Sequence, residues 1–301
     1  MQATSPRSVP TDRLSIRSTV SRWFSHLSFV VRACAAYPKA RHGAIFHPSG
    51  PRTTPRRRDP VAVAKALLAE RNPSAAICFL AGSVVRGYQT ATSDLDIVVV
   101  SRKLPNAYRE SLVWSEWPVE VFVHDTETLR YFCEQDCQRV GVPTLPAMVS
   151  EGIELPKPSD VSKKLNAYVR DLLEAGPIPW REREVNDSRY SITDLIGDMK
   201  APRSLDELHV CAARLYPLIA DHYLRSRQLW SARGKSIPRR LQAVSPTFGE
   251  QFREAFRDVF ERCATDRLVA LCEEVLAPKG GWLFAGYTIQ APSEWRIKEG
   301  C

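Results

Sequence analysis

Apolar positions change their spacing several times between residues 59 and 156. Val63, Ala66, Leu67 and Ala69 recur as on one side of a helix. Asp59 can cap that helix and Pro60 suits its first turn, so the spacing predicts a helix over 60–71, stopped by Asn72-Pro73. Residues 75–80, 95–101 and 118–124 are apolar runs of strand length, bounded by turn residues. In the third run Val119, Val121 and Val123 share one face, which puts Glu120, Phe122 and His124 on the other. The gap before it has room for one short helix over 106–113. Residues 126–140 read as a helix, with Leu129, Phe132, Cys133 and Asp136 along one side, and 152–154 as an edge strand. Strands alternating with helices in this way predict a small mixed sheet with helices on one face.

Leu155-Pro156-Lys157-Pro158 marks the best boundary. Beyond it β-branched runs give way to helical spacing over 160–173, 191–199, 205–230, 248–263 and 265–276. Pro217 should kink the third of these or mark a start, and Gly280-Gly281 should close the last. Tyr216, Tyr223 and Trp230 recur every seven positions, as core-packing residues do. The fold class expected is α+β: a sheet domain over 59–156, then an all-α domain over 157–301.

Charge divides the chain differently. Of its 42 Lys and Arg, 11 lie in residues 1–58 beside one acid, Asp12; the other 243 residues hold 31 basic and 33 acidic side chains, a balance of −2. The high pI therefore belongs to the leader, and a nucleic-acid partner is not suggested by the rest. Such an Arg- and Ser-rich leader fits a transit peptide, a basic binding arm or a disordered extension, and the last is favoured because the sheet domain needs nothing before about Asp59. The apolar patch over 23–37 is too short to span a bilayer. Eight cysteines lie in no Cys-x-x-Cys pair, and Cys133, Cys137 and His124 lack a fourth ligand for zinc. Free thiols and no secretory signal point to the cytoplasm.

Chemistry concentrates between Cys78 and Val100. Asp94 and Asp96 flank the start of a strand with i, i+2 spacing, so their carboxylates face the same way and repel unless a cation lies between them. Oxygen-only donors of this kind suit Mg²⁺, which takes one or two carboxylates together with substrate phosphate oxygens. Gly82 and Ser83, ending the preceding strand, let backbone N–H groups approach a phosphate.

Gly-Ser, then Asp-x-Asp about ten residues on and entering an apolar strand, resembles the polymerase-β-like nucleotidyltransferases, notably the small bacterial minimal and aminoglycoside-modifying types. That resemblance covers 64–154 and implies a third carboxylate on a later strand, which Glu120 supplies as metal ligand or general base. It further implies Mg²⁺ on Asp94, Asp96 and Glu120, and a nucleoside triphosphate, ATP by family habit, held near Gly82, Ser83, Arg86 and Ser93. Lys235 resembles a basic turn that family members bring near the triphosphate. The helical half would shape the pocket for a small-molecule hydroxyl acceptor such as an antibiotic, in a possible homodimer. Rival readings are a module that nucleotidylylates a partner protein, and a silent nucleotide binder. Asp194 and Asp198 could meet a cationic acceptor, though a solvated helix face accounts for them as well. Arg203 and His209 have the spacing of an Arg-x(4–6)-His ribonuclease, but Arg41 and His47 match it equally well in the leader.

Overall fold

The computed structural model of the chain describes residues 57–292. Expectations for the leader, Cys34 and Cys301 lie outside them. The described residues form two compact units: one runs to Asp136 and takes in Ala147–Ala167, the other comprises Cys137–Pro146 and everything from Tyr168.

The first unit is a five-stranded sheet. Helix α1, Pro60–Arg71, begins where Asp59 accepts the Ala62 N–H at 2.8 Å and buries Val63, Ala64 and Leu67. Ala66 and Ala69, expected on that face, are exposed. Strands β1 (Ala75–Ala81), β2 (Leu95–Ser101), β3 (Tyr108–Trp114), β4 (Trp117–His124) and β5 (Ile153–Leu155) lie in the order β3-β4-β2-β1-β5. β2 and β4 are parallel; the other pairs are antiparallel. On one face Cys78, Leu80, Leu95, Ile97, Val99, Val119, Val121 and Val123 pack with α1. The opposite face carries Phe79, Val98, Phe122 and His124, all essentially inaccessible to solvent.

Residues 106–113, expected to be helical, form an edge strand instead. β3 and β4 make a hairpin whose loop is Ser115-Glu116, both with positive φ (47° and 68°), between paired Trp114 and Trp117. Two-residue loops of this hand usually carry Gly or Asn, so the turn had no sequence signal. The predicted helix over 126–140 is present in three pieces: α2 (Thr126–Tyr131), a π-helical stretch (Phe132–Cys137) and α3 (Gln138–Val140). Asp125 and Thr128 form a reciprocal capping box at its start. Helix α4 (Thr144–Glu151), not foreseen, precedes the expected edge strand β5, and α5 spans Asp160–Ala175.

The second unit is helical. Helix α6 covers Glu182–Lys200, α7 Leu205–Arg225, α8 Ile237–Val244, α9 Pro246–Arg262 and α10 Asp266–Leu276. Its core joins residues of α6 through α10, among them Ile196, Leu215, Leu241, Phe252 and Leu271. Pro217 lies inside α7, which continues through it. Tyr216 packs against Phe252 and Phe256, and Tyr223 stacks on Phe248 at 3.6 Å, so the seven-residue recurrence is packing. Trp230 is 6% exposed and donates to the Leu173 carbonyl. Arg203 pairs with Glu207 and His209 packs on Phe260. No described helix is long and apolar enough to cross a membrane.

Candidate active site

Parallel pairing of β2 with β4 builds the site. Its register sets Asp96 opposite Glu120, and β1 places Ala81 opposite Asp96 on the other side. Opposed residues on neighbouring strands project from the same face. Asp94, one residue before β2, joins them. Asp94, Asp96 and Glu120 each offer a carboxylate oxygen, and the three oxygens lie within 4.8 Å of one another, all on half-buried side chains. Among the described residues this is the group of three or more acidic, His or Cys side chains placed to hold a metal ion. Cys133, Cys137 and His124 form no such group among them.

Gly82 is required where it stands. Its φ is +82°, and a Cβ built there would lie 2.0 Å from Asp96 Oδ2. Only glycine lets β1 end against that carboxylate. The chain then folds into tight turns, with Arg86 N donating to Gly82 O at 3.3 Å and Tyr88 N to Ser83 O at 2.9 Å. Ser83 Oγ donates to Ser93 Oγ at 3.1 Å, and Ser93 Oγ also accepts the Thr90 N–H at 2.9 Å. Ser93, 7% exposed, thus closes the turn that delivers Asp94. Arg57 braces it from outside, donating to the Ser93 carbonyl at 2.8 Å while lying over the Trp117 ring.

The remaining expected residues divide. Arg86 pairs with Glu151 at 2.5 Å on a half-exposed surface. Lys235 occupies a short 3₁₀ turn, Gly234–Ser236, of the helical unit. His124 is wholly buried with its ring edge-on to Phe132 at 5.3 Å, and burial pushes its pKa down to about 4 although Asp125 opposes the change. It is a neutral core residue on the triad's face. For Asp125, burial works against ionisation, but hydrogen bonds from Thr128 and Leu104 outweigh it and hold the carboxyl below its ordinary range.

Arg109 was missed. Its Nη2 donates to Glu120 Oε1 in a short ion pair between side chains 17% and 21% exposed. Period-two reading of 108–114 would have found it, because Arg109 stands opposite Phe122 in the hairpin.

Three carboxylates gathered beside a glycine turn are a donor set that suits a divalent cation and a phosphate substrate. Residues 64–191 match the family model for the nucleotidyltransferase domain. The chain carries a polymerase-β-like nucleotidyltransferase domain and is a transferase. A solved nucleotidyltransferase-like protein from Exiguobacterium sibiricum 255-15 is similar over 72% of this chain and 74% of its own, with 14% identity and a TM-score of 0.36. No curated protein sequence matches the chain.

Proposed function

We propose that this transferase moves a nucleoside monophosphate, AMP from ATP, onto a hydroxyl group of a small molecule, using Mg²⁺ held by Asp94, Asp96 and Glu120. The observation that carries the reading is the convergence of those three carboxylate oxygens within 4.8 Å. An all-oxygen, anionic donor set fits Mg²⁺ and not zinc, which favours nitrogen and sulfur. When bound, the metal neutralises charge on the phosphates and favours the hydroxyl's oxyanion. The chain supplies position. Gly82 leaves the space beside Asp96 that a side chain would fill, and the turn after it keeps the backbone and the Ser83 hydroxyl, which donates to Ser93 at rest, beside the triad for a triphosphate. Nucleotidyl transfer needs little more than alignment and charge neutralisation from its enzyme. Lys235 and Arg86 are assigned to the triphosphate on the family resemblance, and the helical unit to the acceptor.

The test uses nucleoside triphosphates labelled at the α-phosphate, with Mg²⁺ and a panel of aminoglycosides, lincosamides and extracted proteins. Label on a small hydroxyl compound, strongest from ATP, is the expected outcome. Label on a protein instead would make the acceptor a macromolecule. No transfer from any triphosphate would leave a nucleotide-binding domain without the activity.

A further inference from the structure

Glu120 sits on β4 with a hairpin partner alongside. Ser111 of β3 lies directly opposite it, and Arg109 lies opposite Phe122, two residues on. From there the Arg109 side chain returns to Glu120 and donates from Nη2 to Oε1. The guanidinium carbon lies 5.3 Å from the centre of the Phe122 ring. Its Nε–H is buried without an acceptor. A largely desolvated pair of this kind adds little to stability, because removing both charges from water offsets their attraction, and an orphaned N–H weighs further against it. What the pair does accomplish is directional. A glutamate has three rotatable side-chain bonds, and without a partner its carboxylate would be free among several rotamers. Held by Arg109, the carboxylate stays in the group with Asp94 and Asp96.

We propose that Arg109 is a positioning residue: it fixes Glu120 as a preformed metal ligand of the triad. The proposal rests on the metal-dependent reading above. Carboxylates that bind metals are themselves held by outer hydrogen bonds, and loss of such a partner commonly weakens metal binding by about 10- to 100-fold. A competing electrostatic effect has the opposite sign. Arg109 brings a positive charge toward the cation site and, were it a mere competitor for Glu120, its removal would tighten binding.

Binding of Mn²⁺ alone to the full chain, followed by the electron paramagnetic resonance of the free ion, separates the two. Wild-type protein is expected to bind Mn²⁺ and D96N to lose it. R109M keeps the packing on Phe122 and removes the donor; about tenfold weaker binding is expected, and the thermal midpoint of the metal-free variant should fall because Glu120 is left without its counter-charge. R109Q restores one donor without the charge and should recover most of the affinity. Should R109M not fold, R109K, whose single ammonium cannot reproduce the guanidinium geometry, is expected to weaken binding severalfold. R109M or R109K binding as tightly as wild type, or tighter, would overturn the positioning role while leaving the metal site standing. Failure of wild-type protein to bind Mn²⁺ would sink the metal-dependent reading and this inference with it.

Discussion

The sheet unit and the helical unit treat charge in opposite ways. In the helical unit most ion pairs join residues three or four apart on one exposed helix face, such as Arg203 with Glu207 and Arg183 with Asp187. Each is settled locally. Its buried cation, Arg225, is 3% exposed and donates to the backbone carbonyl of Ile178. The sheet unit instead collects like charges from positions far apart in sequence. Asp94 and Asp96 meet Glu120 because a parallel register, not a helix, brings them together. Local pairing serves solubility and helix stability, whereas assembly of like charges against electrostatic resistance marks a site of chemistry.

The contrast breaks most sharply at the triad. Replacing Asp94 or Asp96 with Asn should lower turnover by about three orders of magnitude or more, since each removes an anion that holds the metal. Stability should stay level or rise slightly, because like-charge repulsion is relieved. The equivalent change at Asp258, which Arg262 and Arg267 both contact, should leave turnover unchanged and lower the unfolding midpoint. Steady-state rates and thermal melts of the three variants decide it. Full activity in D94N or D96N would end the metal-dependent reading.

Glycines sharpen the same comparison. Gly82→Ala would push a methyl into the Asp96 carboxylate at a φ of +82°. Activity should fall about 100-fold through misplacement of that ligand, with a loss of about 1–2 kcal/mol in stability. Gly197, exposed within α6, has no heavy atom within 4 Å of a built Cβ. Gly197→Ala should therefore stabilise the helical unit by about 0.5–1 kcal/mol. Denaturant melts of the two variants should move in opposite directions.

How much of this was legible beforehand follows the same division. Helix α1 was predicted to the residue because Asp59-Pro60 and Asn72-Pro73 punctuate it. Strand β2 was equally plain, as the apolar run over 97–100 opened by acids. Asp94 and Asp96 stood out by their i, i+2 spacing at the start of that strand, and Glu120 by alternation in the later strand on which the family resemblance implies a third carboxylate. Strand β3 escaped because Arg109, Glu110 and Ser111 are polar and its turn, Ser115-Glu116, lacks the residues that usually announce positive φ. With β3 went Arg109, the side chain that meets Glu120. Helices α4 and α8 were missed because each is only eight residues long, too short for its apolar spacing to stand out.

Acid should unfold the two units unequally. His124 in the sheet and His222 in the helical unit are both fully buried, and burial lowers each pKa to about 4. An unfolded histidine titrates near 6.5, so between the two values the unfolded chain binds more protons. Stability is then complete above about pH 6.5 and is lost as pH falls toward 4, by about 2 kcal/mol per histidine at pH 5. In the helical unit Asp221 works the other way, its pKa raised by burial despite the nearby Arg225 and Arg233. Its folded form takes up a proton before the unfolded form does, which offsets part of the loss. The sheet unit has no such compensation at Asp125, whose pKa is lowered. Urea melts at pH 7 and pH 5 should show His124→Phe and His222→Asn each flattening the pH dependence by a similar amount, and Asp221→Asn steepening it. An unchanged pH dependence in Asp221→Asn would remove Asp221 from the account.

The smallest effect separates a surface pair from a ligand contact. Arg86 leaves the Gly82–Gly87 turns and meets Glu151 at 2.5 Å, but the two side chains are 39% and 49% exposed. A pair so wet contributes about 0–1 kcal/mol, so Arg86→Ala and Glu151→Gln should each move the unfolding free energy by no more than about 0.5 kcal/mol. Their kinetic effects should differ. If Arg86 turns to the triphosphate, R86A removes a charged hydrogen bond and raises the KM for nucleotide by about threefold to tenfold, with kcat little changed. E151Q releases Arg86 from its resting partner, so KM should stay level or fall. Parallel rises in KM for both variants would mean that the pair, rather than the arginine alone, shapes the turn, and would return Arg86 to the scaffold.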